Sequence, residues 1–401
     1  MSKSNASKAI GAAFFALTLF ASSGQAELIV AVIAPLKIGT PFAAVGRQMK
    51  AGAEQAIADV NAQREVHNAA GVGRKLDLLV LQLADDECQV ALGKTIANQV
   101  ANQGVPLIVG HFCSSVSVEA GQIYKANGAL QIVPFSSMPS ASSSSTLFRL
   151  MGTLSSQAGL FVNFVKNLVQ GNPDLSANTD VAIIVDRSPY GEELGREIVQ
   201  QLKVAGVDMP ALPEDDPKVF TLKENTKNAA LETATELVDW GPEVVFLGGY
   251  HPEMDVLTAE IKSRLPNAKL FLSDLNVTSA FVNGAAGMPS NPPVMIHPAN
   301  PVPDSCGGNP APANCAVKAR IATRLGGGPQ VEPSALFAYA AIEVWAKAEA
   351  TQPNPWSVGL TLESNDFPSV LGLVGFQNGD TNDQQFYFFT WTGNKLTPFS
   401  P

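Results

Sequence analysis

From Leu28 onward the chain alternates short, unbroken apolar runs with stretches whose apolar residues recur every three or four positions. Leu28-Ile29-Val30-Ala31-Val32-Ile33 is continuous and rich in β-branched residues, as a parallel strand covered on both faces must be. Helical spacing follows over about 43–61, where Met49, Ala53, Ala56, Ile57 and Val60 share one face. Strands are then expected at 76–83, 106–110 and 130–134, separated by helices over about 89–102 and 117–126. This rhythm predicts a doubly wound parallel sheet with helices on both faces. Residues 136–145, mostly serine with Pro139, interrupt it as a polar loop.

A second series starts after Met151-Gly152: a helix near 155–170, a strand at 181–185, a helix over 191–205, a strand at 244–247, a helix over 253–263 and a strand at 270–273. It reads as a second α/β lobe. The last hundred residues open no third domain. A stretch rich in Pro, Asn and Gly over 292–312 precedes a helix at 333–350, and hydrophobic segments at 370–376 and 385–391 suit edge strands. The expected layout is a first lobe over 27–150 completed by about 297–368, and a second over 151–296 completed by about 369–401. The chain would then cross between the lobes three times.

Composition narrows the function. With 401 residues, 46% hydrophobic and only 15% charged, the chain can bury two sizeable cores. Its formal net charge is −10, and no basic run interrupts it, which argues against nucleic acid or an anionic membrane as partner. The first residues read as a leader for export: Lys3 and Lys8, then an apolar run over 9–21, then Ser22-Ser23-Gly24-Gln25-Ala26 with small residues where a signal peptidase reads. Cleavage is expected after Ala26; removing two lysines and no acid takes −10 to −12. The run is shorter than the roughly 20 residues that span a bilayer, so a permanent anchor is disfavoured. No lipid attachment or membrane insertion is expected.

Cysteines stand at 88, 113, 306 and 315, and export permits disulfides. Pairing by proximity gives Cys88–Cys113 and Cys306–Cys315; the spacings do not suit zinc, and the histidines at 67, 111, 251 and 297 are scattered. Neither metal nor cofactor is expected. Gly93-Lys94-Thr95 lacks the earlier glycine of a phosphate loop, which falls at Cys88, and no Gly-x-Ser-x-Gly elbow exists. His111 near Ser114 keeps a hydrolase on the table as a rival, although the chain is read as no enzyme.

Candidate chemistry lies where strands end, since open parallel sheets bind ligands beyond their carboxyl ends. His111-Phe112-Cys113-Ser114-Ser115 offers hydroxyls and backbone N–H groups at a helix start, suited to a carboxylate or to simple capping. Phe135-Ser136-Ser137 offers acceptors for an ammonium. Tyr190 and Tyr250 sit at strand-to-helix loops of the second lobe, each with an apolar face and a polar tip.

These strings, together with Asp85-Asp86-Glu87-Cys88, Tyr190-Gly191-Glu192 and Gly248-Gly249-Tyr250-His251-Pro252-Glu253-Met254, resemble the leucine/isoleucine/valine-binding protein family over essentially the whole chain after the leader. Those proteins are the extracytoplasmic receptors of branched-chain amino acid ABC transporters. The resemblance implies the periplasmic-binding-protein type I fold, two Rossmann-like lobes joined by three hinge strands, and a Cys88–Cys113 disulfide. It implies an amino acid ligand, a membrane permease as partner and a monomeric receptor. It places Ser114, with Phe112 and Cys113 before it, at the ligand carboxylate; Phe135 through its backbone, Ser136 and Ser137 at the ammonium; and Tyr190 and Tyr250 closing from the second lobe. Three departures reshape the pocket. The family's acid falls at Leu275, with Asp274 beside it as the substitute; its first aromatic wall falls near Val45; and Phe135 replaces a small residue. An amide or small-acid sensor of the same fold is the alternative reading.

Overall fold

The computed structural model describes residues 26–40, 42–137, 146–171, 181–207, 219–250, 252–276, 293–298, 313–327, 331–352, 354–383, 385–392 and 395–399. The leader, the serine-rich stretch over 138–145, His251 and Cys306 lie outside them.

The first lobe is built on β1 (Glu27–Ala34), β2 (Leu78–Asp85), β3 (Leu107–Val109), β4 (Leu130–Val133) and β5 (Leu147–Arg149), joined late in the chain by β13 (Phe376–Gln377) and β14 (Asp380–Thr381). Their order across the sheet is β13-β14-β5-β4-β3-β1-β2, and β11 (Phe367–Ser369) and β12 (Gly372–Val374) pair antiparallel as a separate ribbon before β13. β1 lies parallel to both β2 and β3, so the strand order reverses at β1. Residues 30–34 are buried and divide by parity: Val30, Val32 and Ala34 enter one core, Ala31 and Ile33 another. That split is the period of two of a strand covered on both faces, and it explains the unbroken apolar run. On one face lies α1 (Ala43–Ala70); α2 (Val90–Asn102) and α3 (Ser114–Ala126) pack together and share the core with Ala31 and Ile33.

The second lobe repeats the plan. β6 (Val181–Val185), β7 (Val219–Thr221), β8 (Val244–Gly248), β9 (Lys269–Leu272), β10 (Val294–Pro298), β15 (Phe386–Thr392) and β16 (Lys395–Pro398) form a sheet ordered β16-β15-β10-β9-β8-β6-β7. β6 lies parallel to β7 and β8, so the order reverses there. Its helices include α4 (Leu154–Gly171), α5 (Pro189–Val204), α6 (Lys227–Trp240) and α7 (Glu253–Arg264). In α/β sheets of this kind the crevice beside the reversal is where ligands lodge. Here the loops after β1, β3, β6 and β8 all issue from such points.

Within the described residues the chain passes between the sheets three times: from β5 into α4, from β10 to α8 (Ala313–Arg324), which packs on α1, and from β14 to β15. Helix α9 (Pro333–Ala350) returns to the first lobe against α1 and is buried almost all round. Arg149, fully buried at the end of β5, places Nε 3.0 Å from Oδ1 of Asp380 on β14, and its N–H donates to the Gly379 carbonyl at 2.8 Å. The strands feeding the first and third crossings are therefore fastened to each other.

Several elements differ from the sequence expectation. β13 and β14 belong to the first sheet, so 369–401 does not serve the second lobe throughout. β10 runs inside the Pro-rich stretch. Its ladder holds because Pro292 and Pro293 precede it and Pro298 ends it, leaving Val294, Met295 and Ile296 free to pair. Helix α6 carries a core face of Ala229, Ala230, Thr233, Ala234 and Leu237, too small in side chain for a strong periodic signal. Among the described residues no helix is long and apolar enough to cross a membrane.

Candidate ligand-binding cleft

The first lobe's contribution begins where β3 ends. His111 is wholly buried; its Nδ1 faces Asp86 Oδ2 at 2.6 Å, and its Nε2 lies 3.0 Å from the Tyr124 hydroxyl. A carboxylate only accepts, so Nδ1 carries the proton of that bond. Two residues on, Cys113 is bonded to Cys88, with Cα atoms 5.5 Å apart. Asp86 accepts the Cys88 N–H at 3.0 Å through its other oxygen. A buried imidazole and a disulfide thus hold the start of α3 from both sides. The N–H groups of Val116 and Ser117 turn back to the Cys113 carbonyl, leaving those of Ser114 and Ser115 ahead of the helical ladder at its positive end. The Ser114 backbone lies against the hydroxyl of Tyr250, which comes from the second lobe.

Opposite stand Tyr250, just beyond β8, and Tyr190 in the first turn of α5, with ring centroids 5.6 Å apart. The Tyr190 hydroxyl donates to Asp274 Oδ1, and Gln157 Nε2 of α4 donates to the same oxygen at 2.6 Å. Burial first, then the negative charge of Asp274, raises the Tyr190 phenol well above its ordinary range; burial with the charges of Asp186 and Asp274 does the same to Tyr250. Both keep their protons and act as donors at any physiological pH. Asp274 opens a 3-10 turn just after β9 and is 2% exposed.

An aromatic chain runs along the seam. Tyr250 meets Phe42 at 5.1 Å, Phe42 meets Phe112 at 6.0 Å, Phe112 meets Phe135 at 6.2 Å, and Phe135 meets Phe337 at 5.1 Å and His297 at 6.0 Å. Tyr250 and His297 belong to the second lobe and the phenylalanines to the first, so the chain stitches the two together.

The residues expected at the site divide accordingly. Ser114, Tyr250, Tyr190 and Asp274 converge across the lobes, with Phe112 and Cys113 setting the first-lobe edge. Ser136 is fully buried, and its hydroxyl has no hydrogen-bond partner among the described residues. Ser137 stands at the first crossing, where its carbonyl accepts the Leu154 N–H at 2.9 Å. Phe135 turns its ring into the aromatic chain. Near Val45, itself 5% exposed inside the core, the aromatic residue that reaches the seam is Phe42. Loop length after β1, invisible to periodicity, decides which residue reaches the cleft. Gln157 was also missed, because a glutamine in a helix carries no signal of its partner. His111 spends its ring on Asp86 and Tyr124, so the pairing with Ser114 that a hydrolase needs is not made. Cys315 is disulfide-bonded too.

Two doubly wound lobes, each presenting its strand-end loops to the other across a seam, define the class of hinged solute receptors. The chain belongs to the periplasmic binding protein family, whose family model matches residues 28–395. It is 27% identical over 396 residues to the Leu/Ile/Val-binding protein of Citrobacter freundii, covering 96% of this chain and 97% of that one. It is also 27% identical over 388 residues to the leucine-, isoleucine-, valine-, threonine- and alanine-binding protein of Pseudomonas aeruginosa, with 94% of each covered. Among solved structures, the fold is shared with the branched-chain amino acid transporter substrate-binding protein of Streptococcus pneumoniae in complex with isoleucine (TM-score 0.75, 16% identity, 94% of this chain and 100% of that). It is shared as well with an R. palustris solute-binding protein in complex with benzoate (TM-score 0.71, 12% identity, 93% and 95%).

Proposed function

We propose that this cleft captures a small amino acid, branched-chain or related, and delivers it to the membrane permease of an ABC transporter. The observation that carries the reading is the meeting of Tyr250 with the N-terminus of α3, beside a buried acid. One end of the cleft offers N–H groups and hydroxyls to an α-carboxylate; the other holds Asp274 for an α-ammonium. Ser114 binds the carboxylate, the Phe135 carbonyl and the Ser136 and Ser137 hydroxyls accept from the ammonium, and Tyr190 and Tyr250 close over both. Such pairing is required because an unpaired charge in a closed, dry site costs several kcal/mol. The receptor is exported, cleaved after Ala26, and works as a monomer that performs no catalysis.

Titrating the mature protein by calorimetry with leucine, isoleucine and valine tests this. Ser114→Ala is expected to weaken binding about tenfold or more, the scale of one hydrogen bond to a charged group. An unchanged affinity removes Ser114 from the site.

A second reading is favoured by the aromatic chain and by Asp274 already receiving two donors from its own lobe: a receptor or sensor for an amide or a carboxylic acid without an ammonium. Benzoate, acetamide and γ-aminobutyrate in the same titration decide it. Tighter binding of any of these than of the three amino acids would overturn the first reading.

A further inference from the structure

Tyr190 and Tyr250 reach the seam from different strands, yet their loops converge on a single buried acid. Asp186 follows β6 directly and is 1% exposed. Its N–H donates to the Gly248 carbonyl at 3.0 Å, tying the end of β6 to the end of β8. Its Oδ2 accepts the Tyr250 N–H at 2.9 Å. Its Oδ1 accepts the Ser188 N–H at 3.0 Å and the Ser188 hydroxyl. Ser188 in turn caps α5, accepting the Gly191 N–H on its own hydroxyl oxygen at 3.0 Å. A line of hydrogen bonds therefore runs from the helix that carries Tyr190 in its first turn, through Ser188 and Asp186, to the backbone of Tyr250.

The backbone around the carboxylate is shaped to admit it. A Cβ on Gly249 would lie 2.6 Å from Asp186 Cγ, and one on Gly191 would lie 2.2 Å from Asp186 Oδ1. Both neighbours of the two tyrosines are therefore glycines for a steric reason, and the acid fills the space they leave. The Gly249 loop is held on its far side by Asn276, whose Nδ2 donates to the Gly249 carbonyl at 3.1 Å. Burial pushes the Asp186 carboxyl up, while the bonds from Ser188 and Tyr250 oppose that shift. The carboxylate holds three donors at once, more than a neutral amide's single carbonyl oxygen could arrange around both of its positions.

We propose that Asp186 is the positioning residue of the second lobe, fixing Tyr190 and Tyr250 together in the geometry that grips ligand and closes the cleft. The assignment rests on the amino acid reading above. Asp186 itself touches no ligand; it acts through the two tyrosines. Without it the loops after β6 and β8 lose their common anchor, and each tyrosine samples its own rotamers and backbone positions.

The test is a double-mutant cycle on the mature full chain: wild type, Asp186→Asn, Tyr250→Phe and the double variant, titrated with leucine at a temperature well below every unfolding midpoint. In Asp186→Asn an amide nitrogen faces backbone N–H donors, and the leucine affinity is expected to fall tenfold or more. After Tyr250→Phe the same change is expected to cost much less, because the Tyr250 hydroxyl no longer needs placing. A purely structural role would lower the unfolding midpoint and leave the affinity alone. An Asp186→Asn affinity within twofold of wild type, or full additivity with Tyr250→Phe, overturns the inference. Should Asp186→Asn not fold, Ser188→Ala decides: it cuts the link to α5 but keeps the Tyr250 bond, and a severalfold loss supports the inference while unchanged binding overturns it. Wild type that binds none of leucine, isoleucine and valine brings down the amino acid reading itself, which is a different outcome from a binding wild type with an indifferent Asp186→Asn.

Discussion

Phe42 and His297 show what single residues add to the seam. Phe42 bridges Phe112 and Tyr250, contacts that no spacing rule assigns to it because it stands in a loop. His297 carries the aromatic chain on to Phe389, with ring centroids 6.4 Å apart, and is 1% exposed, with Nδ1–H donating to the Pro298 carbonyl at 2.6 Å. Burial lowers its pKa from 6.5 to about 4, against the opposing pull of that carbonyl. The imidazole is thus neutral in the fold. Its contribution to stability is fully present above pH 6.5, and is lost as pH falls from 6.5 toward 4 while the unfolded chain takes up the proton. The loss reaches about 2 to 3 kcal/mol by pH 4.5. Urea denaturation at pH 7, 5.5 and 4.5 is expected to show wild type losing more stability than His297→Gln by that amount. Equal losses would mean that the ring is not buried neutral. The place of Ser114 at the head of α3, by contrast, was legible from sequence, because it directly follows a strand and opens a helix. The role of Asp186 was not, since an acid after a strand says nothing of two loops from elsewhere.

Among elements, the start of α3 is the most heavily fastened. Its cap is Cys113, and the segment is held by the Cys88 disulfide and by His111 against Asp86 and Tyr124. The bridge closes a separation of 25 residues, for which chain entropy gives about 3 to 4 kcal/mol. Cys88→Ala with Cys113→Ala is expected to lower stability by about that much in denaturant, and to weaken leucine binding as the N–H groups of Ser114 and Ser115 lose their fixed direction. A double variant with wild-type affinity would show that the ligand does not depend on this helix start. Most strands of both sheets stood out in the sequence as unbroken apolar runs, and α9 as one long apolar stretch opened by Pro333, because it is buried almost all round. Helix α6 did not, since alanines pack closely without raising the periodic signal. β10 was hidden by the prolines around it.

At the scale of the molecule, the three crossings make one receptor of two sheets. A single hydrophobic core runs from Val30 of the first lobe through Phe112 and Phe135 to Tyr190 and Phe246 of the second. The Arg149–Asp380 pair joins the strands that lead into two of the crossings, and burial lowers the Arg149 pKa against the charge of Asp380. Asp380→Asn leaves a buried guanidinium without its counter-charge, so a loss of about 3 kcal/mol is expected in urea denaturation. A change below about 1 kcal/mol would show that solvent reaches Arg149 and the pair holds nothing. Hydrophobic periodicity by itself determined the α/β class, the two series of strands and helices, and where most of the strands end. Those are local properties: a buried strand or an amphipathic helix must write its pattern into consecutive residues. Tertiary structure decided which late segments join which sheet, that Phe42 bridges Phe112 and Tyr250, and that Asp186 and Gln157 stand behind the tyrosines and Asp274. Each of these is a contact between residues distant in the chain, and such a contact leaves no period in the sequence, because its partners are set by loop lengths and crossings.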